Sequence, residues 1–362
     1  MKIGILTFHR AHNYGAVLQA YALVTYLRQS GYDAEIVDYR PLSIEQGHGV
    51  MPIKRLKGKS TFRKLTFIIK LLPFLIYRKK RSNVFMKFIN NLPTSSVIYT
   101  ENSKTIENYD YIICGSDQVW NPQITNGLDS FYTANIKTKA KFTSYAASAE
   151  INPSFQKIDI YKDVLKRFYK ISVRESIFKN QLQPLTNKPV YQVLDPIFLL
   201  SKEEWIKFGK NPFKKKDYLL VYQVRRDKNV LKYAKGLSKK NKLEIIEITA
   251  EAEFLPQKNR YMTLSPQEFV GAFIYAKAVV TTSFHGTAFA ALFQKPVKTM
   301  LFNTPGDYRA LDLMRTIGLI PLEKYTFSKE NQSEINIMQT VEPRELSKKI
   351  LESKDFLSFN EQ

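Results

Sequence analysis

The chain reads as an α/β protein built on two parallel sheets. Three observations predict this. Short apolar runs alternate with segments carrying apolar residues at helical spacing from one end of the sequence to the other, and repeated strand–helix–strand order builds parallel sheets covered by helices. The 362 residues exceed one average domain and suit two of roughly 150 to 180 residues. Small polar residues, Gly, His and Arg also gather immediately after the apolar runs. Those are the carboxyl ends of strands, where α/β sheets collect their ligands.

Taken in order, Lys2 to Thr7 is the first strand, and the apolar run is too short for a signal peptide. Ala16 to Gln29 places Val17, Leu18, Tyr21, Val24 and Leu27 on one helical face, and Gly31 ends it. Ala34 to Tyr39 returns as a strand. Tyr111–Cys114, Phe142–Ala147, Tyr169–Val173 and Tyr191–Leu194 follow as strands. A second series holds a strand from Tyr218 to Val224, a helix from Asn229 to Lys239 and a strand from Leu243 to Ile248. Ser265-Pro266 opens a further helix, Ala278 to Thr282 is a strand, and Val297 to Leu301 another. A helix from Tyr308 to Ile317 completes it. The expected division is 1–170 with an inserted segment at about 46–100, then 171–340, then a helix and tail over 341–362.

Hydrophobic content of 44%, with 13% aromatic, is enough for two packed cores and excludes a disordered polymer. The single cysteine, Cys114, excludes a disulfide framework and suits a reducing compartment. It lies in an apolar run, where a buried thiol is the expected state rather than a nucleophile. Four His and one Cys without ligand spacing argue against zinc. A cytoplasmic chain is expected.

The net charge of +22 is concentrated. Between Gln46 and Thr100 there are twelve Lys or Arg and no Asp or Glu. Within it the run Leu65 to Tyr77 is strongly apolar but interrupted by Lys70 and Pro73, well short of the roughly 20 residues that span a bilayer. A basic, apolar segment too short to span suits the surface of an anionic membrane. It equally suits a core-packed helical hairpin with a solvated basic rim. No nucleic-acid motif accompanies the charge, so a nucleic-acid partner is not expected.

Four clusters carry candidate chemistry. In Thr282-Ser283-Phe284-His285-Gly286-Thr287-Ala288, a strand end precedes a helix and brings backbone N–H groups and an imidazole to one point. That is a seat for an anion beside a proton donor, unless His285 merely packs the turn. Phe8 to Ala16 lacks a dinucleotide fingerprint but offers Gly15 at a helix start, with Asn13 as ligand or as N-cap. Gly115-Ser116-Asp117-Gln118-Val119-Trp120-Asn121 crowds hydrogen-bonding groups behind a strand, with Trp120 as a flat face for a sugar ring or as a core residue. Arg174 leaves a buried strand and could hold a carboxylate or phosphate, or pair with Glu175.

Asn13-Tyr14-Gly15-Ala16-Val17-Leu18-Gln19, Gly115 to Asn121, Ser144-Tyr145-Ala146, Ile171 to Glu175, Leu194-Asp195-Pro196 and Thr282 to Ala288 together resemble the polysaccharide pyruvyl transferase family. They run in family order from about residue 2 to 320. The resemblance implies two Rossmann-like domains facing a cleft, similar to the GT-B architecture, with phosphoenolpyruvate as donor and a sugar of a surface glycan, often lipid-linked, as acceptor. It implies no cofactor. One departure stands out: where better characterised members carry an arginine two positions before the histidine, this chain has Ser283.

Pyruvyl ketal formation needs protonation of the donor's methylene carbon, a histidine-like acid, and cations for a small anion. His285 is expected as acid or as a hydrogen-bonding group on the phosphate side, and Asp117 as base for the acceptor hydroxyl. Arg174, Arg225 or Arg309 would hold the donor, with Ser283, Asn13 and Gly15, and with Gly286 and Thr287 supplying N–H groups. Ser116, Gln118, Trp120 and Tyr145 are the acceptor-side candidates. Two rival functions share the fold: a GT-B glycosyltransferase using a nucleotide sugar, and a non-catalytic glycan-assembly component at the membrane.

Overall fold

A computed structural model describes residues 1–48, 58, 60–150, 158–214, 217–252, 257–302, 304, 306–319 and 343–359. Parts of three expected regions, at 49–57 and 59, at 320–342 and at 360–362, lie outside the described residues.

The strands are β1 (Lys2–Leu6), β2 (Asp33–Tyr39), β3 (Thr94–Tyr99), β4 (Tyr111–Cys114), β5 (Lys141–Ser144), β6 (Phe168–Val173) and β7 (Val190–Gln192), then β8 (Tyr218–Gln223), β9 (Ile245–Thr249), β10 (Arg260–Tyr261), β11 (Ala276–Thr281) and β12 (Val297–Thr299). They form two sheets. The first runs β3-β2-β1-β4-β5-β6-β7 and the second β10-β9-β8-β11-β12. Every pairing between these strands among the described residues is parallel. Both sheets follow the doubly wound 3-2-1-4-5 order, whose direction reverses beside the first strand. The central strands are buried on both faces, which is why Ile3-Gly4-Ile5-Leu6 and Tyr218-Leu219-Leu220-Val221 are apolar without alternation.

β6 and β7, on either side of the expected division at 170, both pair in the first sheet. The segment 46–100 was expected as a basic, apolar helical insertion in the first domain. It ends in β3, which pairs with β2, and its helices form the β2–β3 crossover.

The helices, in chain order, are α1 (Tyr14–Gln29), α2 (Leu42–His48), α3 (Thr61–Leu71), α4 (Leu75–Ile89), α5 (Pro122–Thr125), α6 (Lys162–Arg167), α7 (Ser176–Leu182), α8 (Lys202–Phe208), α9 (Lys228–Asn241), α10 (Pro266–Ile274), α11 (Phe284–Leu292), α12 (Asp307–Thr316) and α13 (Pro343–Phe356). Helix α1 is buried on most of its surface, as a helix must be when it packs against two bodies at once. It covers the first sheet while Tyr14 stacks on Phe269 of α10, ring centroids 4.1 Å apart, and donates to the Leu264 carbonyl at 2.9 Å. One continuous apolar cluster therefore joins the two sheets. Among the described residues no helix is long and apolar enough to cross a membrane.

Candidate functional site

Each sheet has its reversal point beside its first strand, and the two points open onto one cavity of about 300 Å³. From the first sheet come Phe8, Ala11, Asn13 and Ala16 after β1, and Asp117 and Gln118 after β4. From the second come Val224 after β8, Thr282 to His285 after β11, and Arg309 with Ala310 near the start of α12. The local sequence explains the convergence. Asn13 caps α1, its Oδ1 accepting from the Gly15 N–H at 2.9 Å, and Ser283 caps α11, its Oγ accepting from the Gly286 N–H at 3.3 Å. Two helix N-termini, each a region of partial positive charge, thus bound the cleft.

His285 is the second residue of α11 and crosses from the second sheet to meet α1. A Cβ on Gly15 would overlap its imidazole Nδ1. Only a glycine lets the two domains approach this closely. Behind the ring, Nε2 lies 3.5 Å from Asp195 Oδ2. That same oxygen accepts from Arg174 Nη1 at 2.8 Å and from Ser116 Oγ at 3.1 Å, while Asp195 Oδ1 accepts from the Ile197 N–H. Burial pushes the Asp195 carboxyl up, but His285 and Arg174 outweigh it and hold the group at about 2. Arg174 also donates to Glu175 Oε1 at 2.9 Å and to Ser148 Oγ at 3.1 Å. Burial opposes its charge, yet Glu175, Asp195 and Asp117 raise its pKa.

The expected site residues fall on different sides of this network. Arg174 is committed to two carboxylates beneath the cleft and does not line it, because Phe284 covers its guanidinium at 4.1 Å. Ser116 has no exposed surface and points down to Asp195. Thr287 is buried, its N–H and hydroxyl both donating to the Ser283 carbonyl, and the Gly286 N–H is taken by the cap. Both N–H groups are engaged within the start of α11. Trp120 is a core residue, fully buried against Phe168 and Phe178, with its indole N–H donating to the Tyr132 carbonyl. Tyr145 is likewise fully buried, beside Phe356. Arg225 is exposed outside the cavity wall, stacked 4.7 Å over Phe302.

The expected residues that do line the cavity are His285, Asp117, Arg309, Ser283, Asn13 and Gln118. Arg309 stands out among them. Among the described residues its buried Nε, like His285 Nε2, has no hydrogen-bond partner. Burial pulls its pKa below the ordinary value and the neighbouring Arg174 pulls it further, against Asp117, Glu175 and Glu150. A cation held this way gains most from an incoming anion. Asp117 occupies a left-handed backbone position, φ 66°, and its Oδ1 accepts from the Gln118 N–H. Gly115 ahead of it has φ 126°, and a Cβ there would overlap the Tyr145 carbonyl, so the strand can turn sharply only with glycine.

Sequence reasoning missed Asp195 as the partner of His285. Its signal was present in Leu194-Asp195-Pro196, where an acid follows a strand. It also missed Arg81, whose guanidinium donates to Tyr14 Oη, to the Met262 carbonyl and to the His12 carbonyl beside the cleft. Cys114 is the expected buried thiol, donating to the Tyr132 carbonyl at 3.0 Å, and burial pushes its pKa up.

A family model described as polysaccharide pyruvyl transferase matches residues 13–297, which is 285 of the 362 positions. No curated protein matches the chain. Solved structures similar to it include the UDP-GlcNAc 2-epimerase from Methanocaldococcus jannaschii, at 12% identity and TM-score 0.45 over 84% of this chain and 85% of that one. The UDP-N-acetylglucosamine 2-epimerase from Rickettsia bellii is similar at 11% identity and TM-score 0.46, covering 98% and 94%. The UDP-GlcNAc 2-epimerase from Neisseria meningitidis, solved bound to UDP-GlcNAc, is similar at 9% identity and TM-score 0.43, covering 98% and 99%.

Proposed function

The chain belongs to the polysaccharide pyruvyl transferase family, and from that membership we propose that it moves a pyruvyl group from phosphoenolpyruvate to a pair of sugar hydroxyls. The observation that carries this reading is the pairing of His285 with Arg309 in one cleft, the arginine having a buried Nε without a hydrogen-bond partner among the described residues. Arg309 supplies the cation that Ser283 cannot. It holds the donor's phosphate or carboxylate, assisted by the N-terminus of α11. Arg174 acts from below, fixing Asp195 and so the ring of His285.

The chemistry follows from these places. His285 gives a proton to the methylene carbon of phosphoenolpyruvate as one sugar hydroxyl adds to C2. Asp117, across the cleft, takes the hydroxyl proton, and Gln118 and Asn13 orient the sugar. The C2–O bond to phosphate then breaks, inorganic phosphate leaving with the proton held by Asp117, while the second hydroxyl closes the cyclic ketal and returns its proton to His285. The acceptor is a sugar of a lipid-linked or surface glycan, which places the enzyme at an anionic membrane surface. The basic segment 46–100 supplies the matching charge.

Binding to the native state alone raises stability, by about 2.7 kcal/mol at 100 times the dissociation constant. Phosphoenolpyruvate is expected to raise the melting temperature, and Arg309→Ala to weaken that binding by roughly 10- to 100-fold, the scale of a lost charge-assisted hydrogen bond. Protection by a nucleotide sugar and none by phosphoenolpyruvate would overturn the donor assignment.

A further inference from the structure

The surface formed by α3 and the start of α4 is not used by the reaction at the cleft, and its composition is unusual. Phe62, Leu65, Ile69, Leu72 and Ile76 follow one another at steps of three, four, three and four residues, the spacing of one helical face. All five are between 55% and 75% exposed. The opposite side is the packed one, with Leu71 of α3 and Arg81, Phe85, Phe88 and Ile89 of α4 buried in the body of the protein. Arg63, Lys64, Lys79 and Lys80 are exposed on the same two helices, and no acid occurs anywhere between Gln46 and Thr100.

We infer that this apolar stripe is a docking face for an anionic lipid bilayer, lying in the interfacial plane with the lysines and arginines against lipid phosphates. Charge selects the occupant. A second copy would bring an identical basic surface against this one, and like charges repel, whereas anionic lipids attract it and the apolar side chains enter the acyl boundary. At 11 residues α3 can lie in a membrane surface and cannot cross it.

The docking face also has a fixed relation to the cleft. Arg81 leaves α4 on the buried side, stacks 4.7 Å from both the Tyr14 and Phe85 rings, and donates to carbonyls of His12 in the first domain and Met262 in the second. His12 immediately precedes Asn13, a wall of the cleft. The helix pair that carries the docking face is thereby anchored, through Arg81, to the residue beside Asn13. The inference rests on the proposed function only for the identity of the acceptor delivered there.

The test uses the full chain with no donor or acceptor, so its outcome is independent of pyruvyl transfer. Sedimentation is measured with vesicles of phosphatidylcholine alone and with about one-third phosphatidylglycerol, at low and high salt. The protein is expected to sediment with the anionic vesicles and to be released by salt. The double variant Phe62→Ser/Ile69→Ser keeps the charge and removes apolar surface, and should partition at least about tenfold less. Its melting temperature and its protection by phosphoenolpyruvate should be unchanged. Equal binding to both vesicle types, or undiminished binding by the variant, overturns the inference. A wild-type dimer that the same variant dissociates, seen by light scattering, would instead assign the face to a second copy.

Discussion

Gly15 and His285 lie 270 positions apart in the sequence and share one contact. The imidazole occupies the space where any other residue at 15 would place its Cβ, so the glycine decides where the proposed acid stands. Gly15→Ala is therefore expected to reproduce much of the loss caused by His285→Ala, about 100-fold or more in turnover. Overpacking should also cost about 1 to 3 kcal/mol in stability. Turnover and thermal unfolding of both variants check this. Normal activity in Gly15→Ala would show that the ring need not stand where the glycine holds it. Ser283 illustrates a different residue-scale logic: it caps α11 through its Oγ. An arginine there would have no oxygen with which to make that bond. In the proposed function the cation comes instead from Arg309, one helix further along.

At the scale of elements, α13 shows how far a helix can act from its place in the chain. It follows the second sheet in sequence but docks on the first. Phe356 packs beside Tyr145 and Tyr191, Lys170 donates to its carbonyl, and Ser353 Oγ accepts from the Leu194 N–H. The helix clamps the chain near the Asp195 turn that supports His285. Phe356→Ala should cost about 3 to 5 kcal/mol, the usual scale for removing a buried phenylalanine, and urea unfolding would measure it. An unchanged midpoint would mean that α13 is dispensable to the fold.

For the whole molecule, the two domains meet through a carboxylate as well as through the apolar core. Asp312 of α12 accepts from the Ser176 N–H and hydroxyl at the start of α7 and from Gln192 Nε2 at the end of β7. Burial raises its pKa to about 6, opposed by Ser176 and reinforced by Glu175. An unfolded aspartate titrates near 3.9, so between roughly pH 4 and 6 the folded state holds a proton that the unfolded state has lost. This contribution is complete below the unfolded value and fades as pH rises through 6, by about 3 kcal/mol in total. Asp312→Asn lacks it, and so should gain stability relative to the parent as pH rises from 4 to 7. Parallel stability curves over that range would refute the assignment.

After β4 and β11 the residues that line the cavity were legible, because α/β sheets collect their ligands at the carboxyl ends of their strands. The expected strands and helices largely recur, with shifts of a few residues at their ends. Which polar residue faces the cleft was not legible. Ser116 and Asp117 are adjacent, yet one reaches down to Asp195 and the other lines the cavity, since neighbouring residues at a strand end project in different directions. Trp120 and Arg174 were equally ambiguous, because an aromatic or a cation has the same identity whether its partner is a ligand or the core. The sequence by itself determined the α/β class, the two parallel sheets and the candidate residues at the strand ends, all of which depend on local pattern. Only the tertiary structure decided that β6 and β7 join the first sheet, that α13 returns to it, and that Asp195 stands behind His285. Those outcomes depend on partners tens to hundreds of residues away, and local sequence carries no record of such distances.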